Sequence, residues 1–579
     1  MRAAVADPQH VLACRLRDAI ARAFGPEHAA VDPLVRPAQH PRFGDYQANV
    51  AMPLAQRLGR PPREVAAAIV AHLDVGDVAH PPAIAGPGFV NFTLTDAFLG
   101  RQAAALAADP RCGVEPAATP LTTVVDYSGP NVAKEMHVGH LRSTVIGDAL
   151  AHTLAFLGHR VIRQNHLGDW GTQFGMLIEH LLEAGASAEV DLDALYRAAQ
   201  ARFETDPAFA ARARERVVAL QAGEPTSLAL WRRLVEQSTA RFAAVYARLG
   251  AALTPADIRP ESFYNPQLPG IVAELEAKGL ARPSEGALCV FLDGFTRPDG
   301  TPLPLMVRKS DGGYLYATTD LAALRYRVEV LHAERLIYVT DARQAQHFAM
   351  VFAAARAAGW LPPHVRAEHV PFGTVLGEDG RPFRTRSGDT VRLADLLDEA
   401  ERRAAALVAE KNPALDAATR ARVARAVGIG AIKYADLASD RVKDYVFSWE
   451  RMLAMEGNTA PYLQYAYARI RSIFRKGGGS PLAPPESLAL GEPAERALVL
   501  RLCQLGGVVH AVAETLEPHR LCAHLYDVAT AFSTFYERCP VLQAPDATQR
   551  TSRLWLCELT ARTLACGLGL LGIEVLERM

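Results

Sequence analysis

The chain has 579 residues, enough for about three or four domains, and half of them are hydrophobic, which suits a large buried core. Its 62 basic and 63 acidic residues give a formal net charge of −1. This balance excludes a uniformly basic nucleic-acid coat and a polyanionic disordered chain, but it does not exclude local charged patches.

Cysteine usage and hydropathy favour a cytoplasmic protein. The eight cysteines include no Cys-x-x-Cys pair, the spacing typical of zinc knuckles and redox sites. The start of the chain lacks a basic segment followed by an apolar run, so no secretory signal is expected. The longest apolar stretches are shorter than the ~20 residues that span a bilayer. We therefore expect neither a structural zinc nor a membrane anchor.

Residues 1–118 are predicted to form a separate α+β module. Helical periodicity covers 10–23, and FVNFTL (89–94) alternates apolar and polar residues as a strand does. The segment 109–120 is rich in Pro, Gly and small residues, which indicates a linker.

Residues 119–390 have the pattern of a parallel-sheet domain. A β-branched run at 121–125, a helix at about 139–157 and a strand at 160–165 make one βαβ unit. A second unit and an insertion complete the α/β prediction: a strand at 335–341, a helix at 347–359, a strand at 368–376, and a mostly helical insertion at about 176–310 with a Pro/Gly-rich part near 281–304.

The remainder of the chain is predicted to be helical. We divide it into a connector, 391–455, and a terminal helical module, 456–579, interrupted only by the flexible composition of 477–493.

The sequence MHVGHLR (136–142) lies where the first strand passes into its helix, and this is the edge of a parallel sheet where ligands bind. Backbone N–H groups at a helix N-terminus favour phosphate. Gly139 would let a planar adenine approach the backbone, while His137 and His140 would donate hydrogen bonds to phosphate oxygens during adenylyl transfer. Two ordinary surface histidines on a helix are the alternative interpretation.

The flanking residues resemble the arginyl-tRNA synthetases, class I enzymes with a HIGH-type ATP motif. The resemblance runs from about residue 40 to the end of the chain. The segments that carry it are VDYSGPNVAKEMHVGHLRSTVIGDAL (125–150), RQNHLGDWGTQFGM (163–176), YLYATTDLAA (314–323), RPFRTRSGDTVRL (381–393), GNTAPYLQYAYARIRSI (457–473) and PHRLCAHLYDVATAFSTFYERCPVL (518–542).

The resemblance implies a class I Rossmann-type catalytic domain, an N-terminal added domain that contacts the tRNA elbow, and an all-α domain that binds the anticodon. It implies that L-arginine and ATP, with Mg²⁺, give arginyl-adenylate, and that the arginyl group then passes to the terminal adenosine of tRNA(Arg). Relatives need bound tRNA for the first step and are commonly monomers. No tightly bound prosthetic group is implied.

Site residues for arginine also follow from the resemblance. Asp126 and Asp320 would face the guanidinium group, with Tyr316 completing that wall, since a guanidinium has five donors for carboxylates to accept. Some relatives carry Glu at the position of Asp126, and Asp320 also fits a helix cap.

Four further positions match polar residues of the family's substrate site. Asn131 and Gln344 match those that hold the α-amino group, Ser128 matches a neighbour on the same loop, and His347 matches an ATP-side position at a strand-to-helix turn. An Asn that only stabilises the turn after Pro130 is the alternative for Asn131.

The second ATP motif of class I enzymes is usually Lys-Met-Ser-Lys-Ser, but the matching stretch here, PFRTRSG (382–388), contains no lysine. Family members with this departure often carry a lysine just before the first motif, where Lys134 stands. The resemblance implies that Lys134, assisted by Arg384 and Arg386, would stabilise the pyrophosphate. An exposed basic loop without a catalytic role is the alternative.

Residues 441–480 hold seven Lys or Arg against three acids, with aromatic residues between them. Cations neutralise phosphates and aromatic rings stack on unpaired bases, although some of these rings fit core positions at helical spacing. The tRNA-binding candidates are Arg441, Lys443, Arg469 and Arg471 here, and Phe89 and Asn91 of the N-terminal module.

Three other functions remain open at this stage. A class I synthetase for another amino acid would fit the ATP motif, as would a small nucleotidyltransferase of the pantothenate synthetase kind, although the long helical C-terminal part has no purpose in the latter. A non-catalytic tRNA-binding paralogue should have lost part of the ATP site, whereas Lys134, His137, Gly139 and His140 are all present.

Overall fold

The computed structural model describes residues 7–185, 191–384, 391–479 and 483–579. The N-terminal module is α+β, as predicted. Its elements are α1 (Pro8–Phe24), β1 (Val35–Pro37), β2 (Tyr46–Ala48), α2 (Ala51–Leu58), α3 (Pro62–Ala71), β3 (Ala83–Ala85), β4 (Phe89–Phe92) and α4 (Asp96–Ala108). The four strands form an antiparallel sheet in the order β1-β2-β4-β3.

The central part of the chain contains the predicted parallel sheet. Its elements are β5 (Thr122–Asp126), α5 (Val138–Phe156), β6 (Arg160–Gln164), α6 (Gln173–Glu183), α7 (Leu192–Thr205), α8 (Pro207–Gln221), α9 (Pro225–Leu249), α10 (Glu261–Tyr264), α11 (Leu268–Ala277), β7 (Ala281–Ser284), β8 (Ala287–Thr296), β9 (Pro302–Arg308), α12 (Tyr316–Glu329), β10 (Arg335–Asp341), α13 (Ala345–Ala357), β11 (Arg366–Phe372) and β12 (Val375–Leu376).

The main sheet has the order β11-β10-β5-β6, and every pair in it is parallel. Val124 and Val125 of β5 and Ile337 and Val339 of β10 are fully buried, because these two central strands are covered on both faces. The carboxyl ends of β5 and β10 therefore meet at one sheet edge, where the loop before α5 and the turn before α13 begin.

The insertion is mostly helical, as predicted, but its Pro/Gly-rich part contains strands that the sequence pattern did not indicate. There, β7, β8 and β9 form a three-stranded antiparallel sheet. Leu288, Val290 and Val307 of this sheet are buried against α11 and α12 of the central part. Tertiary packing thus outweighs the turn-like composition of the segment.

The C-terminal part is helical, as predicted, apart from one short strand. Its elements are α14 (Leu393–Lys411), α15 (Ala417–Leu437), β13 (Tyr445–Val446), α16 (Trp449–Met452), α17 (Ala460–Gly477), α18 (Pro493–Leu502), α19 (Leu505–Thr515), α20 (His519–Arg538) and α21 (Ala547–Leu570). Strand β13 pairs with β12 of the central part and so connects the two regions.

The N-terminal module packs on this helical part, since Arg496 of α18 bonds to both Asp45 and Asp96 and Gln504 donates to the Tyr46 hydroxyl at 3.1 Å. Within the described residues, one stretch, Pro493–Thr515, has the length and hydropathy of a membrane span. It consists of α18 and α19, whose apolar residues belong to the helical core, so length and composition alone are weak support for a span.

Candidate functional site

The first ATP motif forms the N-terminus of α5. The N–H of Gly139 donates to Nδ1 of His137 at 3.0 Å, and the N–H of His137 donates to Nδ1 of His140 at 3.1 Å. The two rings lie 4.0 Å apart. Because each Nδ1 accepts a backbone N–H, each neutral ring carries its proton on Nε2. The motif therefore holds two imidazoles as N–H donors.

Both histidines are kept neutral. Burial and the charge of Lys134 lower the pKa of His137. Burial, reinforced by His137 and Lys134, lowers the pKa of His140 to about 3. The pair can therefore donate hydrogen bonds to anionic oxygens at neutral pH without taking up a proton; that it does so to ATP stays a prediction.

Gly139 is required by its neighbour's ring. A Cβ at this position would lie 2.8 Å from Cε1 of His137, far inside normal contact distance. This reason differs from the expected approach of adenine, which stays a prediction.

The loop before the motif is fixed by the insertion. The Lys134 ammonium lies 4.7 Å from the centre of the Tyr196 ring on α7, and the N–H of Ala133 donates to Ser238 Oγ at 3.0 Å. Glu135 forms an ion pair with Arg241 at 2.6 Å. Lys134 remains exposed next to the histidines, where its charge can act on a bound polyphosphate.

Backbone hydrogen bonds anchor the chain on both sides of the second ATP motif. On the entry side, the N–H of Phe383 donates to Val375 O at 2.9 Å, and Arg384 follows as an exposed residue. On the exit side, Val391 O accepts from the N–H of Val138 at 3.1 Å, which joins the loop directly to the first motif. Arg386 lies outside the described residues.

The predicted guanidinium pocket is centred on Asp320 of α12. Its Oδ2 lies 2.6 Å from Nε2 of His347, and its Oδ1 lies 4.0 Å from Nε2 of His166. The ring of Tyr316, 63% exposed, lies 4.9 Å from that of His347. The structure therefore brings Tyr316, Asp320 and His347 together, although it places His347 beside the acid rather than at the ATP motif.

Asp126 has a partner within the protein. Its Oδ2 accepts from Nη2 of Arg327 at 2.7 Å, and Nε of the same buried arginine donates to Gln164 Oε1 at 2.6 Å. The internal guanidinium compensates the Asp126 charge, so direct contact between Asp126 and a substrate guanidinium stays a prediction.

Sequence reasoning missed Glu261, the first residue of α10. Burial, together with the neighbouring carboxylates of Asp320 and Asp169, raises the pKa of Glu261 to about 8. Asp169 accepts from the Ser262 N–H at 2.9 Å and so holds the start of α10 in place. A buried carboxyl group whose pKa is raised by neighbouring carboxylates is typical of a functional site that binds a cation.

The α-amino candidates lie on two loops. Asn131 is exposed and pairs with Gly168, where any side chain would collide with its Oδ1. Gln344 is exposed at the turn after β10. Ser128 is instead buried: its Oγ lies 2.7 Å from the Tyr246 hydroxyl. Its contribution to substrate binding stays a prediction.

The tRNA candidates of the C-terminal part separate into two groups. Arg441 donates to Leu516 O and Pro371 O at 2.8 and 3.0 Å, and Arg471 pairs with Glu558 at 3.0 Å, so both serve the internal structure. Lys443 is exposed near Asp440, and Arg469 lies on a cleft, with its guanidinium 4.2 Å from the centre of the Tyr536 ring.

This cleft has a volume of about 840 Å³. Its cationic and aromatic lining residues are Tyr465, Arg469, Arg475, Lys476, Tyr536 and Arg578. Tyr465 is 44% exposed, so its ring is accessible to an unpaired base. Tyr536 and Arg578 lie outside the basic window recognised in the sequence and only the fold brings them to the cleft.

The N-terminal candidates lie on β4. Asn91 is 8% exposed, and its Oδ1 accepts from Gln47 Nε2 at 2.8 Å across the sheet. Phe89 is half-buried near Gly86. Their contact with tRNA stays a prediction.

Among the described residues, no three His, Cys, Asp or Glu side chains form a group that would hold a metal ion. The side chains at the first motif are nitrogen donors and a cation, whereas Mg²⁺ prefers oxygen ligands.

Comparison with protein families matches all three parts of the chain. The family described as tRNA synthetases class I (R), catalytic domain, matches residues 103–449. The DALR anticodon binding domain matches 463–579, and the arginyl tRNA synthetase N-terminal domain matches 10–94.

Full-length relatives agree with these matches. The arginine–tRNA ligase of Thermobifida fusca is 55% identical over 99% of this chain and 100% of its own length. That of Synechococcus elongatus is 54% identical, with the same coverage. Among solved structures, the arginyl-tRNA synthetase of Plasmodium falciparum has a TM-score of 0.85 at 28% identity over 100% of both chains. That of Thermus thermophilus has 0.83 at 29% over 99% of this chain and 100% of its own.

Proposed function

The chain belongs to the arginyl-tRNA synthetases, and we propose that it activates L-arginine with ATP at the carboxyl edge of β5 and β10 and transfers the arginyl group to the 3′-terminal adenosine of tRNA(Arg). The main support for assigning this reaction to particular residues is the pair of neutral histidines at the N-terminus of α5. A cluster of acids lies at the ends of the same sheet and at the start of α10. The four-module division at residues 118, 390 and 455 belongs to the same proposal.

In the first step, an oxygen of the arginine carboxylate attacks the α-phosphorus of ATP, and the bond from that phosphorus to the bridging oxygen of pyrophosphate breaks. His137 and His140 donate their Nε2 protons as hydrogen bonds to phosphate oxygens, where negative charge grows. Lys134 and Arg384 face the leaving pyrophosphate, and we assign the same role to Arg386. Mg²⁺ enters as part of the substrate, held by ATP oxygens.

Arginine is selected by its guanidinium group. Asp320 and Glu261 supply carboxylate oxygens, and Tyr316 supplies a ring and a hydroxyl at the open side. The side-chain carbonyl oxygens of Asn131 and Gln344 accept hydrogen bonds from the α-ammonium group. A neutral amide can accept these bonds without carrying a charge of its own. A lysine substrate would lack the planar donor fork that two carboxylates match.

In the second step, a ribose hydroxyl of the terminal adenosine attacks the carbonyl carbon of the adenylate and AMP leaves. The basic cleft around Arg469 and Tyr465 binds unpaired bases at the far end of the tRNA. We further propose that arginine activation requires bound tRNA, and that the protein acts as a cytoplasmic monomer without a membrane partner.

One assay tests the reaction. ATP–pyrophosphate exchange is measured with each of the amino acids, with and without an arginine tRNA. Among the amino acids, we expect only arginine to support exchange, and only when tRNA is present. Exchange with a different amino acid would contradict the assigned pocket, and arginine-dependent exchange without tRNA would contradict the tRNA requirement only.

A further inference from the structure

A buried ion pair joins the ATP helix to the helical part of the protein. Nε of Arg142 on α5 lies 3.2 Å from Oδ2 of Asp436 on α15, and the two side chains are 1% and 0% exposed. Arg142 follows His140 by two residues. The catalytic helix is therefore tied to α15 directly behind its histidines.

The same guanidinium holds the chain that follows α15. Nη1 of Arg142 donates to the backbone oxygen of Lys443 at 3.1 Å. The rings of Tyr445 and Phe372 lie 5.2 and 5.8 Å from its Cζ, within cation–π range. One side chain of α5 thus contacts the end of β11, helix α15 and the segment 441–447.

Segment 441–447 in turn supports the entry to the second ATP motif. Asp444 Oδ1 accepts from the N–H of Thr374 at 2.6 Å, and Leu376 O accepts from the N–H of Phe447 at 2.8 Å. The ring of Phe383, next to Arg384, stacks on that of Phe447 with centres 4.6 Å apart.

The two ATP motifs are consequently joined twice. The exit of the second motif bonds directly to the first motif through Val138 and Leu393, the latter donating to Met136 O at 2.8 Å. Among the described residues, segment 441–447 and Arg142 connect the entry of the second motif to the first motif. A displacement of this segment would change the distance from Arg384 to the histidines without unfolding either motif.

We propose that Arg142 is a positioning residue for adenylation: with Asp436 it sets segment 441–447, and through it the second ATP motif, in register with His137 and His140. The proposal rests on the ATP-site role that the proposed function gives to the second motif. Ion pairs this deeply buried gain little stability over well-packed apolar residues, so stability alone gives weak reason for one here. We attribute the ion pair instead to the register that it sets between α5 and α15.

Helix α15 also offers a matched control. Lys433 is buried one turn before Asp436 and donates to Leu249 O and Gly572 O at 2.9 and 2.6 Å. It joins the same helix to other segments and makes no described bond to segment 441–447. A loss of activity caused only by a weakened core should appear equally in Lys433→Met.

The experiment compares the double variant Arg142→Met/Asp436→Leu with Lys433→Met by tRNA-dependent pyrophosphate exchange, with melting temperatures from circular dichroism. The double variant leaves no unpaired buried charge, so it is expected to fold. We expect its exchange kcat to fall by about 10²-fold, the effect of a small misplacement of reacting groups, with a raised KM for ATP and unchanged KM for arginine and Kd for tRNA. Lys433→Met should lower the melting temperature only.

Wild-type kinetics in a folded double variant would overturn the proposal, as would an equal kinetic loss in Lys433→Met. Arg384→Ala separates this outcome from failure of the proposed function. If Arg384→Ala exchanges normally, the role that the proposed function gives to Arg384 at the ATP site is wrong; if it is slow while the double variant is normal, only the positioning role of Arg142 is wrong.

Discussion

Binding of arginine should release a proton from Glu261. The pKa of this carboxyl is raised to about 8, first by burial and then by the charges of Asp320 and Asp169. A guanidinium placed against these acids replaces repulsion with attraction and lowers that pKa. The free protein at neutral pH therefore holds a proton that the complex with arginine does not.

The size of the effect follows from the pKa. At pH 7, one unit below about 8, only about one molecule in ten has an ionised Glu261. Ionising the rest costs about 1.4 kcal/mol of the binding free energy. The Kd for arginine should fall about fivefold between pH 7 and pH 8, and about tenfold in all once the pH is well above the pKa, where it levels off.

Isothermal titration calorimetry of arginine binding, in buffers with different ionisation enthalpies, measures the proton count directly. We expect release of about one proton per arginine at pH 7. Glu261→Gln is neutral at every pH and should abolish both the release and the pH dependence, whereas Glu276→Gln, at an exposed position on α11, should change neither. A Kd independent of pH in the wild type would refute the reasoning.

The same group has a consequence for stability with the opposite sign. Because its folded pKa lies above its unfolded value, the stabilisation is complete below the unfolded pKa and is lost as the pH rises toward about 8. The ligand-free protein should therefore melt at lower temperature at pH 8 than at pH 5.5 through this group, and Glu261→Gln should reduce that difference. Melting followed by circular dichroism checks it.

Three further predictions concern the ATP motif and the basic cleft. Lys134→Ala should slow pyrophosphate exchange by ~10²–10³-fold, the scale of losing one charge-stabilising donor; near-normal exchange would show that another cation serves the pyrophosphate. Gly139→Ala should displace the His137 ring, since its Cβ would lie 2.8 Å from Cε1, so exchange should fall while the tRNA Kd, measured by filter binding, stays the same. Tyr465→Ala should weaken tRNA binding by about 1–3 kcal/mol in the same filter assay if a base stacks there, and an unchanged Kd would assign that ring to packing alone.

The fold was accessible from the sequence wherever a local pattern matched a local structure. The centre of strand β10, residues 336–339, is apolar and buried, and the extent of the strand is the predicted one. The strands β7 to β9 were missed because their Pro and Gly residues indicate turns, while the burial that fixes them, against α11 and α12, depends on distant parts of the chain. Periodicity carries no information about such packing.

The residues of the candidate site also fall into two groups: those with a local sequence signal and those that only the fold brings together. His137 and His140 could be identified from the sequence because they form a local structure: their side chains cap the first turn of α5. Glu261 gave no signal, since it stands in no motif and reaches Asp320 only through the fold. The partner of Asp126, Arg327, lies 201 residues away, so the sequence pattern gave no sign of this ion pair, and the contact of Asp126 with a substrate guanidinium stays a prediction.

Net charge was a poor guide to the RNA surface for a related physical reason. Many of the cations are used inside the fold: the side chains of Arg142, Arg327 and Arg335 are at most 3% exposed, and each is paired with an acid. A count of Lys and Arg residues along a segment includes these buried, paired arginines as well as the cations that face solvent. We propose that the cations that bind phosphate include those lining the cleft, such as Arg469, whose guanidinium lies 4.2 Å from the centre of the Tyr536 ring. If that cleft provides most of the phosphate contacts, the Kd for tRNA should rise steeply with salt, while the KM for arginine, set in a shielded pocket, should change little.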